Sequence, residues 1–180
     1  MQLIWIEYPN QHENEIETWC DEFAVCFALD DNSVKAEHQW YLNSDKYTHN
    51  KNYFCKVVLD GNVPVALLMV AVFEDAMKTH LHERIVYLDT LIINPAVRGQ
   101  GYGTRVVADF LQNANEIIGV GHYIFVSQVH KDNDIAKKLC TKLGFGLTCN
   151  EENSDWIDWV FPASAADRYT DLDLQKVVTI

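Results

Sequence analysis

Hydrophobic residues follow two different spacings along the chain, and together these spacings predict an α/β protein. Apolar, largely β-branched runs predict strands, which we place at residues 2–8, 54–60, 63–73, 84–94, 121–129, 145–149 and 155–161. Apolar residues three or four positions apart predict helices, which we place at residues 13–29, 34–45, 105–118 and 132–143. Asp60-Gly61-Asn62 separates two of the strands and predicts a hairpin between them.

A glycine-rich turn joins the strand at 84–94 to the helix at 105–118, and it holds three of the chain's eight glycines within five residues. Glycine leaves main-chain N–H groups unshielded, and the helix that follows favours an anion at its start. Arg98 adds a planar, positively charged donor suited to phosphate. Val106 stands where a dinucleotide-binding loop needs its last glycine, and no G-K-[ST] is present. The turn predicts a phosphate site, although any tight turn could carry these glycines.

Two motifs give the chain a family resemblance. Residues 98–103, with sequence RGQGYG after LIINP, resemble the R-x-x-G-x-G acyl-CoA pyrophosphate loop of the GNAT superfamily of N-acetyltransferases. Residues 133–145, with sequence NDIAKKLCTKLGF, are similar to that family's N-x-x-A-x-x-L-Y-x-K-x-G-F helix. With the strand before each, the motifs cover residues 84–149 in the family's order and separation.

The resemblance implies the fold and its division along the chain. The implied fold is a mixed α/β acyl-CoA N-acyltransferase fold, with a splayed, mainly antiparallel sheet of six or seven strands and helices on both faces. We expect a single domain over residues 1–180, because 48% of the residues are hydrophobic and no linker is evident. Residues 1–83 would form the acceptor side, residues 84–149 would carry the acetyl-CoA motifs, and residues 150–180 would form a C-terminal strand and tail.

The resemblance also implies the residues that contact acetyl-CoA. The main chain of Leu91, Ile92 and Ile93 would pair with the pantetheine arm. The pyrophosphate would lie against Arg98 and the amides of the turn, which are those of Gly99, Gln100, Gly101, Tyr102, Gly103 and Thr104. Asn133 matches a polar residue that contacts the cofactor in many members, and capping the helix is an equally good explanation of it. No metal is expected, because His80 and His82 have no third ligand nearby.

Asp89 and Cys140 are the predicted catalytic residues. Asp89 is an acid inside an apolar strand, where loss of solvation would raise its pKa toward that of a useful general base. It could instead pair with an arginine or cap a bulge. Cys140 stands where the family usually carries the tyrosine that protonates the leaving thiolate, so that the proton would come from Cys140 or from water. Gln128 stands roughly where some protein N-terminal acetyltransferases place a glutamate, and glutamine cannot act as a base.

The composition of the chain limits the kinds of partner that we expect it to bind. The net charge of −12 disfavours nucleic acid or an anionic membrane as the main partner, although a solvated acidic surface accounts for it as well. Five cysteines without a C-x-x-C pair indicate neither a disulfide framework nor a zinc site. The chain shows no apolar run of membrane-spanning length and no signal-peptide pattern at its start, which predicts a cytoplasmic location.

The sequence therefore predicts an N-acetyltransferase that moves an acetyl group from acetyl-CoA to a primary amine by direct transfer in a ternary complex. The acceptor, a small molecule or a protein amine, stays open. The alternative is a non-catalytic acyl-CoA-binding or regulatory module on the same fold. Ordinary core packing is the commoner explanation of aromatic residues at such positions, and those that could instead line the acceptor pocket are Trp19, Phe23, Phe27, Trp40, Tyr41 and Tyr47. The apolar end at Leu174–Ile180 would allow a homodimer through strand exchange.

Overall fold

The computed structural model describes residues 2–26, 52–74, 83–148 and 155–162. Its strands are β1 (Leu3–Glu7), β2 (Tyr53–Asp60), β3 (Val63–Glu74), β4 (Glu83–Ile93), β5 (His122–His130), β6 (Gly146–Leu147) and β7 (Trp156–Phe161). Its helices within these ranges are α1 (Glu13–Cys26), α2 (Tyr102–Ile117) and α3 (Asp134–Leu143), with a 3-10 turn at Pro95–Val97.

The strands form one seven-stranded sheet in the order β1-β2-β3-β4-β5-β7-β6. β4 pairs with β5 in parallel, whereas β1 with β2, β5 with β7 and β6 with β7 are antiparallel. The predicted mixed α/β fold with six or seven strands is confirmed, and the described sheet has seven. The predicted hairpin is confirmed as well, since β2 and β3 are neighbours joined by two residues, with Gly61 at a left-handed φ of 63°.

The structure corrects two element boundaries. α2 begins at Tyr102 rather than at residue 105, so that Gly103 and Thr104 lie in its first turn. β6 has two residues instead of the predicted five. Phe145 cannot join the strand through its N–H group, because that group donates to the carbonyl of Cys140 and closes α3. The helix predicted to end at residue 29 is described as far as Cys26.

Several predictions concern residues that the structure does not describe. These are the helix at 34–45, the pocket candidates Phe27, Trp40, Tyr41 and Tyr47, the loop histidines His80 and His82, and the segment Leu174–Ile180. The side chain of Phe23 also lies outside the described set. Of the apolar stripe on α1, Ile16 and Trp19 are buried, as core residues would be.

The chain divides into two compact units. The first comprises residues 1–70 and 90–113, and the second comprises residues 71–89 and 114–180. The first unit has a buried cluster of Leu3, Val58, Val65, Ala66 and Val106. The second has a buried cluster of Ile85, Ile124, Val126 and Val160. Burial of each leucine, isoleucine or valine side chain in these clusters stabilises its unit by about 1.5–3 kcal/mol before the entropy of ordering is counted.

Specific hydrogen bonds close α3 at each end. The side chain of Asn133 accepts a hydrogen bond from the N–H of Ala136 and caps the start of the helix. At the other end Gly144 is left-handed, with φ 83°, and its N–H donates to Thr141 while that of Phe145 donates to Cys140. This is the pairing of a Schellman motif, which favours glycine at that position. Within the described ranges no helix has the length and apolar character of a membrane span.

Candidate functional site

Asn94 fixes the start of the glycine turn in the first unit. Its side chain is buried, its Nδ2 donates to the carbonyl of Pro64 at 2.8 Å, and its Oδ1 accepts from the N–H of Ala96 at 2.9 Å. Its main-chain N–H donates to Val65 at 3.0 Å. A buried amide is costly unless both ends are paired, and here both are. The exit of β4 is therefore tied to the start of β3.

Asp60 fixes the other side of the turn. The hydroxyl of Tyr102 and Nη1 of Arg105 both donate to Oδ2 of Asp60, each at 2.8 Å. The hydrogen bonds from Tyr102 and then Arg105 hold the pKa of Asp60 below its ordinary value. The same bond to Asp60 raises the pKa of Tyr102. Because Asp60 ends β2, the first turn of α2 is attached to the β2–β3 hairpin.

Five successive or near-successive N–H groups in this turn donate to no acceptor in the part of the chain that the structure describes. They belong to Gly99, Gly101, Tyr102, Gly103 and Thr104. The first bond of α2 comes later, from the N–H of Arg105 to the carbonyl of Gly101 at 3.1 Å. Gly99 and Gly101 hold left-handed φ values of 76° and 84°, which glycine adopts without strain. The arrangement is suited to a phosphate group.

Arg98 and the extended segment before the turn belong to the same unit. Arg98 is exposed, and its Nε donates to the carbonyl of Ile93 at 3.2 Å. This bond holds the positively charged guanidinium close to the turn, where it would favour a phosphate. Leu91, Ile93 and Tyr102 pack against one buried cluster. The structure thus brings together the predicted pantetheine segment and the predicted pyrophosphate loop.

Asp89 lies in the second unit, where it is half-buried on β4. The β4–β5 ladder runs from Glu83–His122 to Tyr87–Val126, and both strands continue beyond that pair. From Val86 to Ile93 burial alternates along β4, with Leu88, Thr90 and Ile92 buried and the residues between them half-buried. Asp89 therefore shares the face of Tyr87, which packs against the cluster that contains Val126.

Asp158 is a second acid on this face, and the sequence analysis did not find it. It lies on β7 opposite Gln128, whose Nε2 donates to its Oδ1 at 3.0 Å. Gln128 is two residues beyond Val126, so that both side chains lie on the face of Asp89. Burial raises the pKa of Asp158. It is the only charged residue in the strand sequence WIDWVF, which is the same signal that pointed to Asp89.

Asn133 and Cys140 also belong to the second unit. The side-chain oxygen of Asn133 is occupied by the helix cap, which shows the capping role directly. Cys140 is buried in α3, and burial raises the pKa of its thiol to about 11. At neutral pH this thiol is fully protonated and a weaker acid than an ordinary cysteine.

The fold and the glycine turn define a protein of the acyl-CoA acyltransferase class. The model of the Acetyltransferase (GNAT) family matches residues 11–145, and the chain belongs to that family. No curated protein matches the sequence.

Solved structures that resemble the chain include N-acetyltransferases. A spermidine N-acetyltransferase SpeG chimera from Vibrio cholerae and hSSAT is 17% identical, with a TM-score of 0.61 over 96% of this chain and 100% of that one. Campylobacter jejuni PseH in complex with acetyl coenzyme A is 16% identical, with a TM-score of 0.58 over 89% and 98%. Arabidopsis thaliana Naa50 with the bisubstrate analogue CoA-Ac-MVNAL is 16% identical, with a TM-score of 0.55 over 89% and 98%. At these identities the likeness concerns the fold.

The first prediction concerns the anchor at Asn94. Asn94→Ala leaves the carbonyl of Pro64 and the N–H of Ala96 without their partner, and we expect it to lower the free energy of unfolding by about 1–3 kcal/mol. Gln112→Ala removes an exposed amide from α2 and should change it by less than about 0.5 kcal/mol. Urea denaturation of both variants measures the difference. Equal stability of the two variants would show that Asn94 is not an anchor.

The second prediction concerns the pH dependence of Asp60. Its folded-state pKa is lowered, so its carboxylate stabilises the fold above its unfolded pKa of about 3.9, and this stabilisation is lost as the pH falls through the folded value. Asp60→Asn removes the titrating carboxylate and keeps a residue type that favours the hairpin turn. The stability gap between wild type and this variant should be constant from about pH 5 to 7 and shrink below about pH 4.

Denaturant unfolding at a series of pH values measures this gap. Glu116→Gln is the control, because Glu116 is an exposed acid on α2, the helix whose first turn donates to Asp60, and its gap should stay small throughout. A gap for Asp60→Asn that is unchanged down to about pH 2 would contradict the assigned role of the carboxylate.

Proposed function

We propose that the protein is an N-acetyltransferase that transfers an acetyl group from acetyl-CoA to a primary amine by direct transfer in a ternary complex. The observation that carries the proposal is the set of N–H groups at Gly99 and Gly101–Thr104, which have no acceptor within the described ranges. Membership of the GNAT family and the acetyl coenzyme A bound by PseH support it.

In this proposal the pyrophosphate of acetyl-CoA lies against the turn amides and Arg98. The pantetheine arm extends along Leu91–Ile93, whose main chain offers donors and acceptors to an amide-bearing chain as a neighbouring strand would. The carbonyl of Ile93 already accepts from Arg98, so that the N–H groups of this segment would carry more of the pairing. For Asn133, whose Oδ1 caps α3, the Nδ2 group is the part that would contact the cofactor.

The chemistry requires a neutral amine. Its nitrogen attacks the thioester carbonyl, the C–N bond forms, the C–S bond breaks, and one amine proton leaves. Asp89 is the proposed base, directly or through water, because it is a half-buried carboxylate two residues before the pantetheine segment. Asp158 on the same face is the second carboxylate available for this role or for holding an ammonium group.

The leaving thiolate needs a proton. A thiol with a pKa of about 11 is a poorer acid than an ordinary thiol of about 8.5, so that transfer from Cys140 to a departing thiolate would be unfavourable. Of the two sources that the sequence left open, burial of Cys140 favours water. The same burial lends some support to the alternative function, a non-catalytic acyl-CoA-binding module.

The acceptor stays open, and the similar structures indicate which amines to test first. SpeG is a spermidine N-acetyltransferase and Naa50 binds an analogue that contains a peptide, so that acceptors among the neighbours range from polyamines to peptides. Wild-type protein is incubated with acetyl-CoA and a panel of polyamines, amino acids, aminoglycosides and peptides, and release of free thiol is followed. Turnover with at least one amine is expected. Binding of acetyl-CoA without turnover across the panel would favour the non-catalytic module.

The third prediction tests the pyrophosphate loop. Gly103 lies in the first turn of α2 without a left-handed φ, and a Cβ there would meet only Ile93 Cγ1, at 3.9 Å. Gly103→Ala should therefore fold at least as stably as wild type. The methyl group crowds the approach to the amide beside it, and a lost hydrogen bond to a charged group should raise the Kd for acetyl-CoA about 10- to 100-fold.

Calorimetric titration measures this change, with ligand controls matched to the phosphate. The Kd for dephospho-CoA, which keeps the pyrophosphate, should rise by the same factor, whereas binding of pantetheine should not change. Equal affinity of wild type and Gly103→Ala for acetyl-CoA would remove the turn from the site. A wild type that binds no acetyl-CoA would overturn the proposed function itself.

The fourth prediction separates the two carboxylates. Asp89→Asn keeps the shape of the side chain and removes the base, so that kcat should fall about 100- to 10,000-fold while the KM for acetyl-CoA stays within about threefold. Asp158→Asn, on the same face, should lower kcat by less than about tenfold. Steady-state kinetics with an accepted amine measure both. The reverse ranking would transfer the role of base to Asp158, and full activity in both variants would exclude each of them.

A further inference from the structure

One side of β5 and β7, within the second unit, carries polar and aromatic side chains together. The β5–β7 ladder places Gln128 opposite Asp158 and His130 opposite Trp156. Cross-strand partners project to the same side of a sheet, and so do residues two positions apart on one strand. All four side chains therefore share one face, which we call the β5–β7 polar face.

Asp158 gives this face an oriented carboxyl group. Nε2 of Gln128 donates to its Oδ1 at 3.0 Å. The two oxygens of a carboxylate offer about four lone-pair positions, so that it can accept from an amide and from an ammonium group at once. The pKa of Asp158 is raised by burial, because water solvates its charge only in part. A cation beside the carboxylate would offset this loss of solvation.

Trp156 gives the face an aromatic surface near the carboxyl group. It is 45% exposed, and it lies two residues before Asp158, or about 7 Å along the strand. The rings of His130 and Trp156 meet edge to face, with 5.2 Å between their centroids, which restricts how the indole can turn. An indole packs against methylene groups and attracts cations. It therefore suits the alkyl chain of an ammonium ion held at Asp158.

The charges on the two strands favour a ligand without a carboxylate. β5 and β7, with sequences HYIFVSQVH and WIDWVF, contain no lysine or arginine. The N–H of Asp132 donates to Nδ1 of His130 at 3.3 Å, so that this nitrogen carries no proton and the imidazole is neutral. Oδ2 of Asp132 is 3.7 Å from the same nitrogen, beyond hydrogen-bond distance. A ligand carboxylate on this face would meet the negative charge of Asp158 without a cation from either strand.

We propose that the β5–β7 polar face binds the ammonium group of an alkylamine at Asp158, with the alkyl chain against the indole of Trp156. The ligand class is an amine without a carboxylate on the carbon beside its nitrogen, which separates it from free amino acids. In taking this amine as the acetyl acceptor the inference rests on the proposed function, whereas the binding involves residues of the second unit alone. Gln128 is a positioning residue, because it acts on the ligand through Asp158.

The fifth prediction compares two ligands that differ by one carboxylate. Norvaline is butylamine with a carboxylate on the carbon beside the nitrogen, and repulsion by Asp158 should make its Kd at least about tenfold higher than that of butylamine. The ligands are added to the full chain without acetyl-CoA. The side-chain amide resonances of Gln128, assigned by their absence in Gln128→Met, should shift as butylamine binds, and the titration gives each Kd.

Three variants identify the groups that bind butylamine. Asp158→Asn keeps the shape of the side chain and removes its charge, which should raise the Kd about 10- to 100-fold. Trp156→Leu keeps an apolar side chain without the ring and should raise the Kd about two- to fivefold. Asp155→Asn is the matched control, because Asp155 is an exposed acid beside the same strand that pairs with Lys131, and its Kd should stay within about twofold.

Kinetics with an accepted amine give a second readout. Asp158→Asn should raise the KM for the amine about 10- to 100-fold and leave the KM for acetyl-CoA within about threefold. A variant that is merely destabilised would not separate the two KM values in this way.

The outcomes separate this inference from the function. If butylamine causes no shift in wild type, binds no more tightly than norvaline, or binds Asp158→Asn as tightly as wild type, the inference is wrong, and acetyl transfer to any amine would still support the proposed function. If butylamine binds with the expected ranking and no amine is acetylated, the β5–β7 polar face is an amine site, and its role as the acceptor site is overturned with the proposed function.

Discussion

Everything proposed for the first unit depends on a turn whose N–H groups stay unpaired without collapsing onto the protein's own carbonyls. Such a turn must be held from outside, because it makes few bonds within itself. Asn94 anchors one side of the turn through hydrogen bonds with Pro64 and Ala96, and Asp60 anchors the other side through hydrogen bonds with Tyr102 and Arg105. Both sets of hydrogen bonds connect the turn to the β2–β3 hairpin. A buried neutral amide and a charged carboxylate therefore position the main chain on which an anion would rest.

How much the sequence predicts depends on whether the signal is local. The turn, the hairpin and both ends of α3 follow from glycine, asparagine and hydrophobic spacing within a few residues, and the structure confirms these elements. The sequence predicts that α2 begins at residue 105, whereas it begins at Tyr102. The difference arises because glycine is a poor helix former, so that Gly103 favours a turn when only the sequence is considered. The anchor role of Asp60 was not predicted, since it depends on contacts with residues more than forty positions away.

Asp158 shows the same limit at the site. It is one residue of an apolar strand, and the sequence does not reveal that Gln128 lies opposite it. Once the β5–β7 register is known, this isolated acid is seen to be a hydrogen-bonded carboxyl group whose pKa is raised by burial. Asp89 could be identified as a candidate base from the sequence, because the evidence for it lies in its own strand and in the motif that follows.

The register of β5 and β7 also divides the chemistry between two faces. Gln128 and Asp158 lie on one face, and Ser127 and Trp159 lie on the other, one residue away in each strand. An amine that must be deprotonated needs a carboxylate, and of these four side chains only that of Asp158 supplies one. Because side chains alternate along a strand, a single-residue slip would exchange the two sets. The aromatic contacts of Phe161 with Phe125 and Phe145 oppose such a slip of β7, because it would turn the ring of Phe161 away from both. Packing on one face thus fixes which face carries the acid.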